Sequence, residues 1–512
     1  MAMPAETQRL CWERFGLWYE QHRQYLHALA AYRKSGNYDA LLRVIRSDAG
    51  ILLASLKPED VLTALDNCPA ETLKAYPFAI LVLMRRMFTW RQIPKMLELK
   101  ALLLTAIREH PELSEEERGN LLGECDLILS FLCYNDISAM SRLHRSASAQ
   151  MSRPAVSIRS SGGWTFGSPS VLMMFYRAPG ELESELAEMD ECMPHYYKIT
   201  GSHGQGAETI MHAEAAFMQG RFTDAHIALE RAYAQIEGNG QENMALCCDF
   251  LARRLSLFTD IGQRARFEKR REQLLAHHNV SWLNLWNAAA AYHHALLGSL
   301  DRIPEAYRRH RLFTVRTLAP GKPMIEMIEN QVYLAQGEYA HVIGRSEGLL
   351  AQCEAMHYAL VALHIRIQTA AAYEMLGKHE QARALLSQAL TDAEPDTLLM
   401  PFAENYRYLK PLLVQNLLQS PLVPKIIELG EAAELRGSRA VRPTALAALT
   451  EREYEIVRLM SQRLTNRELA EKLFLSEGSV KQYINQIYSK LHIEGDARSK
   501  RKRLLELLSP KT

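Results

Sequence analysis

Near the C-terminal end, apolar positions recur at helical spacing in three short runs, each introduced by residues that start helices. Thr450 and Glu453 stand three apart, a spacing that lets side chain and backbone cap each other, ahead of Ile456, Val457 and Met460, with Leu449 on the same apolar face. Thr465 and Glu468 repeat the device ahead of Leu469, Ala470 and Leu473, and Ser476 is placed to cap a third helix reaching about Leu491. At about 100° per residue, taking Lys481 as zero, Asn485 falls near 40°, Ser489 near 80° and Gln482 near 100°. Val480, Ile484, Ile487 and Leu491 cluster between about 240° and 300° on the same count. One side of this helix is therefore core and the other is amine, amide and hydroxyl. Gly478, near 60° on that scale, leaves room on the polar side for a phosphate or base to approach.

The long stretch before this tail shows helical spacing and little that reads as strand. Single glycines punctuate it: Gly220, Gly262, Gly298, Gly337 and Gly377 are separated by 42, 36, 39 and 40 residues. Such a period marks stacked helix pairs. Four residues before these glycines stand Ala216, Phe258, His294, Tyr333 and Tyr373. Around Gly377, Ala382, Leu386 and Ala389 hold the offsets that Ala225, Leu229 and Ala232 hold around Gly220, so small residues let paired helices approach closely. Residues 15–45, with Tyr19, Ala28, Tyr32 and Gly36-Asn37, read as a weaker helix pair. A Ser-, Gly- and Pro-rich run from Arg145 to Ser170 interrupts the pattern. It reads as a surface crossover between helical blocks; the alternative is a binding loop using Arg153, Arg159 and Trp164. A second break, from Arg436 to Pro443, reads as a hinge.

Charge sharpens this division. The 512 residues carry a net +1, but Arg439 to Thr512 holds 15 Lys or Arg against 9 Asp or Glu, and the remainder 45 against 50. A basic tail on a mildly acidic body fits nucleic-acid contact at one end. The eight cysteines are scattered without a CxxC pair, as expected of reduced thiols, and Cys192 with His195 is too small a set to predict a metal site. No apolar run is long enough to cross a membrane, since Ile80 to Met84 stops at Arg85-Arg86. No HExxH, GxGxxG or GxxxxGK[ST] occurs. Glu181, Glu185 and Glu188 share a helical face that solvent accounts for. No catalytic residue, cofactor or metal is expected.

The tail resembles the LuxR-type helix-turn-helix, a four-helix DNA-binding module. The resemblance rests on LTERE (449–453), LTNRELAEKL (464–473), LSEGSVKQY (475–483) and KL (490–491). It implies that Lys481, Gln482, Asn485 and Gln486 contact bases, and that Thr465, Asn466, Arg467 and Ser479 contact phosphate. It also implies a fourth helix, roughly Ala497 to Leu508, through which modules pair. Arg463 departs from the usual helix-ending glycine and is expected to need a left-handed backbone. Tyr483 stands where a histidine is common.

Repeats and tail together are similar to the MalT-like activators, whose helical superhelix binds an inducer, but the P-loop ATPase of those proteins has no counterpart here. Either the protein works without nucleotide or the chain is the C-terminal part of something longer. The expected fold class is all-α: a tetratricopeptide-like helical superhelix followed by a small four-helix LuxR-type domain. The expected divisions are N-terminal repeats at 1–144, a loop at 145–170, a repeat sensor domain at 171–436, a linker at 437–443 and the DNA-binding domain at 444–512. The expected protein is a cytoplasmic transcription regulator, a homodimer on double-stranded DNA. A small-molecule or peptide inducer, or a protein partner, would occupy a groove lined by Trp282, Trp286, Tyr292, Tyr333 and Tyr373. The rival reading is a protein-interaction scaffold with a C-terminal docking module.

Overall fold

A computed structural model describes residues 3–48, 52–158, 162–259, 264–312, 319–415, 419–440, 446, 448–461, 464–473 and 475–507. Among these residues every regular element is helical and no strand occurs. The chain divides into two compact units, Met1–Gly430 and Glu431–Thr512.

Helical hairpins build the first unit. The repeating glycines make their turns: Gly36, Gly220, Gly298, Gly337 and Gly377 adopt left-handed backbone with φ of 69°, 74°, 70°, 80° and 72°. In each case the following residue's N–H donates to the carbonyl four residues before the glycine. These bonds are Asn37 to Tyr32, Arg221 to Ala216, Ser299 to His294, Glu338 to Tyr333 and Lys378 to Tyr373, at 2.9–3.1 Å. The register seen in the sequence is therefore that of a helix-ending motif in which glycine supplies the left-handed residue and an otherwise orphaned carbonyl finds a donor. Gly262 lies outside the described residues.

Close packing follows from the small residues after two of these turns, at Gly220 and Gly377. Helices Ala207–Met218 and Phe222–Ile236 bury Ala225, Leu229 and Ala232 completely, and Ala359–Met375 with His379–Ala393 does the same with Ala382, Leu386 and Ala389. Deeper in the unit, Arg254 Nε and Nη2 donate to Glu404 at 2.7 and 2.9 Å, and the Tyr292 hydroxyl donates to the same carboxylate at 2.8 Å. Both charged side chains are shielded from solvent. Phe217, Phe250 and Tyr292 rings surround the guanidinium. A separate core in the first 130 residues is centred on Leu29, Leu42, Ile80, Leu83 and Leu103.

Several expectations need correction. Residues 15–45 form parts of three helices, Ala5–Gln21, Tyr25–Ser35 and Tyr38–Asp48; the first break falls at Arg23, whose φ of 56° carries no glycine signal. The helix Ile137–Gln150 takes the first six residues of the expected 145–170 loop. Residues 162–170 of it are no surface crossover: Trp164, Thr165, Ser168 and Ser170 are buried, while 159–161 lie outside the described residues. Small polar residues make that possible by satisfying one another. Thr165 N donates to Asn243 Oδ1 at 3.0 Å, Thr165 Oγ1 to the Ser168 carbonyl at 2.7 Å, and Ser168 Oγ to the Ser170 carbonyl at 2.6 Å. At the other break, helix Val423–Ala440 runs through the first four residues of the expected 437–443 linker, and 441–443 lie outside the described residues.

Candidate nucleic-acid interface

Among the described residues beyond 450, the second unit has four helices: Glu451–Ser461, Asn466–Leu473, Glu477–Lys490 and Ala497–Glu506. Both expected capping boxes form. Thr450 N donates to Glu453 Oε2 at 2.7 Å and Glu453 N to Thr450 Oγ1 at 3.3 Å; Thr465 and Glu468 repeat the exchange at the same distances. Ser476 Oγ accepts from Ser479 N at 3.1 Å, fixing the start of the third helix. Three short helices thus begin at defined residues before any long-range packing is considered.

That packing then sets the rotation of the third helix. Val480, Ile484, Ile487 and Tyr488 are buried with Ile456, Val457, Met460, Leu469 and Leu473 in one core. With that side committed inward, Lys481, Gln482, Asn485 and Gln486 are exposed along the opposite side, and among the described residues their side chains form no hydrogen bond or ion pair. A Cβ built on Gly478 would meet only Ser476 Oγ, at 3.6 Å, so the polar surface is open there. Around it lie exposed Thr465 and Arg467 and half-exposed Asn466 and Ser479. Thr465 Oγ1 already bonds Glu468 at 2.8 Å, and Arg467 Nε pairs with Glu471 at 3.3 Å in full solvent. Ser479 Oγ lies 2.9 Å from Ser476 Oγ. Tyr483 is half-buried against the core edge, and Arg463 lies outside the described residues.

Three long-range contacts that no local pattern announces tie the helices of this unit together. Lys490 Nζ, at the end of the third helix, donates to Glu453 Oε2 at 2.8 Å. Burial alone would raise the Glu453 pKa, but the Lys490 ammonium and the Thr450 amide outweigh it and hold the carboxyl below its ordinary value. Arg452 Nη2 donates to the Leu473 carbonyl at 2.6 Å, closing the second helix, and Arg501 Nη2 donates to the Leu464 carbonyl at 2.5 Å. In the fourth helix, Asp496 caps Ser499 N, Leu504 points into the core, and Lys502 and Arg503 are exposed.

The five aromatic residues expected to line a groove in the first unit are not gathered into one. Trp286 and Tyr292 are buried: Trp286 stacks on Phe267 and donates to its carbonyl at 3.0 Å, and Tyr292 belongs to the Arg254–Glu404 cluster. Trp282, half-buried, abuts Gly163, where a Cβ would come within 2.8 Å of its ring. Tyr373 is half-buried beside Lys378. Tyr333 does line an open groove, with Lys322, Glu326, Glu329 and Arg345, but its ring stacks with those of His310 and His341. Aromatic rings gain by burial as readily as by lining a cleft, so their helical positions do not separate the two outcomes.

Other expected candidates resolve similarly. Glu185 is not a solvent-facing member of a carboxylate row: it is buried, accepts from Arg177 N at 2.9 Å, and burial pushes its pKa up to about 8. Cys192 Sγ lies 3.1 Å from His144 Nδ1. Arg153 pairs with Glu117, and Arg159 lies outside the described residues. Among the described residues no helix is long and apolar enough to cross a membrane.

Comparison with known proteins matches residues 447–500 to the bacterial regulatory proteins of the luxR family. The transcriptional regulatory protein LnrK of Bacillus subtilis (strain 168) is 41% identical over 61 residues. The DNA-binding transcriptional activator DevR/DosR of Mycobacterium tuberculosis is 39% identical over 62 residues. Each match covers 12% of this chain and 28% of the relative, so the chain spans little more than a quarter of either relative's length. The likeness is confined to the helices whose capping, core and exposed polar side are described above: over residues 447–500 the chain carries a luxR-family helix-turn-helix domain.

Proposed function

We propose that the protein is a sequence-specific DNA-binding transcription regulator, whose first unit is a tetratricopeptide-like sensor. The observation that carries the reading is the open amine-and-amide side of helix Glu477–Lys490, within a domain matched to a luxR family. Lys481 donates to guanine acceptors in the major groove, and Asn485, Gln482 and Gln486 offer the paired donor and acceptor that adenine requires. Thr465, Asn466, Arg467 and Ser479, beside the helix N-terminus, hold the backbone phosphates and set the register. Occupied by base edges and phosphates, these side chains exchange water for partners without disturbing the core beneath them.

Paired modules on adjacent half-sites, joined through the fourth helix, raise affinity through effective concentration. A small molecule, peptide or protein bound by the first unit shifts the population toward the arrangement that permits pairing. No catalytic step is assigned. Selection of bound duplexes from a random pool by the purified chain tests the reading. Enrichment of one motif, preferentially as two half-sites, is the expected result. A scaffold with a docking module instead enriches no motif, and its binding to DNA lacks the steep salt dependence of phosphate contacts.

A further inference from the structure

The loop leading into helix Leu182–Thr200 walls a cleft in the first unit that none of the expected groove residues line. The start of helix Ile137–Gln150 and the turn at His357 close its other sides. Its volume is about 330 Å³, within the range of small-molecule sites. Bonds between distant stretches of sequence hold these walls. Asn135 Nδ2 donates to the carbonyls of Met174, Met356 and His357 at 3.0, 3.1 and 3.1 Å. Asp396 accepts from Gly180 N at 2.6 Å, Leu182 N at 3.3 Å and the Tyr176 hydroxyl at 2.6 Å. Asp136 caps Ala139 N at 2.9 Å. The cleft is thus shaped before any occupant arrives.

Groups of both signs line it. Asp136, Glu181 and Glu185 supply carboxyl groups, and Arg177 a guanidinium. Arg177 Nη1 pairs with Asp136 Oδ2 at 3.2 Å, which compensates part of that charge. Two atoms stay unmatched. Arg177 Nε and Glu185 Oε2 are both buried, and among the described residues neither has a hydrogen-bond partner, the other included. Glu185 is only 7% exposed, and its Oε1 accepts from Arg177 N at 2.9 Å, so the two residues adjoin in one wall. Burial, with Glu181 and Asp396 adding to it and Arg177 opposing, pushes the Glu185 pKa up to about 8. A cation beside this carboxyl would restore its charged form. A buried donor and a buried carboxyl oxygen each cost free energy while they lack partners.

A ligand that answers both atoms carries an anionic acceptor and a cationic donor close together. An α-amino acid does so, with its carboxylate and ammonium on one carbon. We propose that this cleft binds a free α-amino acid as its zwitterion, the carboxylate on Arg177 Nε and the ammonium on Glu185 Oε2. Both side chains line the cleft, so a change of rotamer is enough to turn these atoms onto the occupant. Two helices, Ile137–Gln150 and Leu182–Thr200, begin at the cleft, and their dipoles favour the carboxylate end. Exposed Glu181 favours the ammonium. Ser184 and His357 border the volume left for the ligand's side chain. This names the ligand class for the sensing role proposed above and rests on that reading for its consequence, but the binding itself does not depend on the DNA-reading assignment.

The test uses the full chain without DNA. The twenty standard amino acids are titrated singly by calorimetry. The tightest is then compared with its N-acetyl derivative, which lacks the ammonium, and its amide, which lacks the carboxylate. Saturable binding is expected, at least about ten-fold tighter for the zwitterion than for either derivative, since each has lost a charge-assisted bond. The ¹³C resonance of the Glu185 carboxyl is expected to move on saturation, a readout that needs no variant. Glu185→Gln keeps an acceptor for Arg177 N and is expected to erase the preference over the N-acetyl form while keeping that over the amide. Arg177→Gln is expected to do the reverse. Failure of all twenty to bind saturably, equal affinity for zwitterion and derivatives, or an unmoved Glu185 resonance would each overturn the assignment. Motif selection by the same preparation is scored separately, so loss of one function is distinguishable from loss of the other.

Discussion

The polar side of helix Glu477–Lys490 and the aromatic residues of helix Val280–Leu297 are both candidate binding surfaces in the sequence, yet only the first stands open to solvent. The difference lies in what burial costs each side chain. An amine or primary amide packed without partners loses free energy, so a helix with one apolar stripe must turn Lys481, Gln482, Asn485 and Gln486 outward. Trp286 and Tyr292 gain from burial provided their one polar atom finds an acceptor, and Phe267 O and Glu404 supply those acceptors from distant sequence. Polarity on a capped helix is thus a signal of direction; aromaticity is not.

The largest expected effect breaks the comparison on the body side. Arg254→Met leaves Glu404 buried without its cation and is expected to destabilise the first unit by about 3–5 kcal/mol. Domain-resolved unfolding, followed by hydrogen exchange, should show the second unit unchanged. On the tail side, Asn485→Ala is expected to cost about 1–3 kcal/mol of discrimination between the selected site and a site altered at one base pair. Its thermal stability should stay within about 0.5 kcal/mol of the parent, because the side chain supports nothing in the core.

Glycines sharpen the contrast further. Gly377→Ala forces a left-handed alanine and is expected to destabilise the first unit by roughly 1–2 kcal/mol in denaturant unfolding. Gly478→Ala meets open space and is expected to stabilise the free second unit by about 0.5–1 kcal/mol while weakening DNA binding, opposite signs that separate fold from function. The smallest effect is expected at Glu453. Its carboxyl is held below its ordinary pKa, so its contribution is present above the unfolded-state value and is lost as pH falls through the lowered folded-state value. Glu453→Gln should therefore flatten the acid limb of the second unit's stability curve, with little change in that limb's shape expected for Glu455→Gln.

How much was legible in the sequence follows the range of the interactions. The capping boxes and the glycine turns are set within a few residues, and those among the described residues appear at the expected positions. The path of 162–170 through the interior was not legible, because Ser, Thr and Gly signal an exposed loop unless the donors that satisfy them, such as Asn243 on a helix some 80 residues away, are known. Lys490 illustrates the same limit inside the tail: its motif position was recognisable, its partner Glu453 was not.

The central claim, that the outward side of helix Glu477–Lys490 reads base edges, is tested most directly by one competition experiment. The full chain and its Lys481→Ala/Asn485→Ala double variant are each titrated onto the selected duplex against random-sequence competitor at fixed salt. The account predicts that the variant retains its fold and its binding to random duplex to within the loss of one phosphate-strength charge, and loses its preference for the selected site. Undiminished preference in the folded double variant would contradict it.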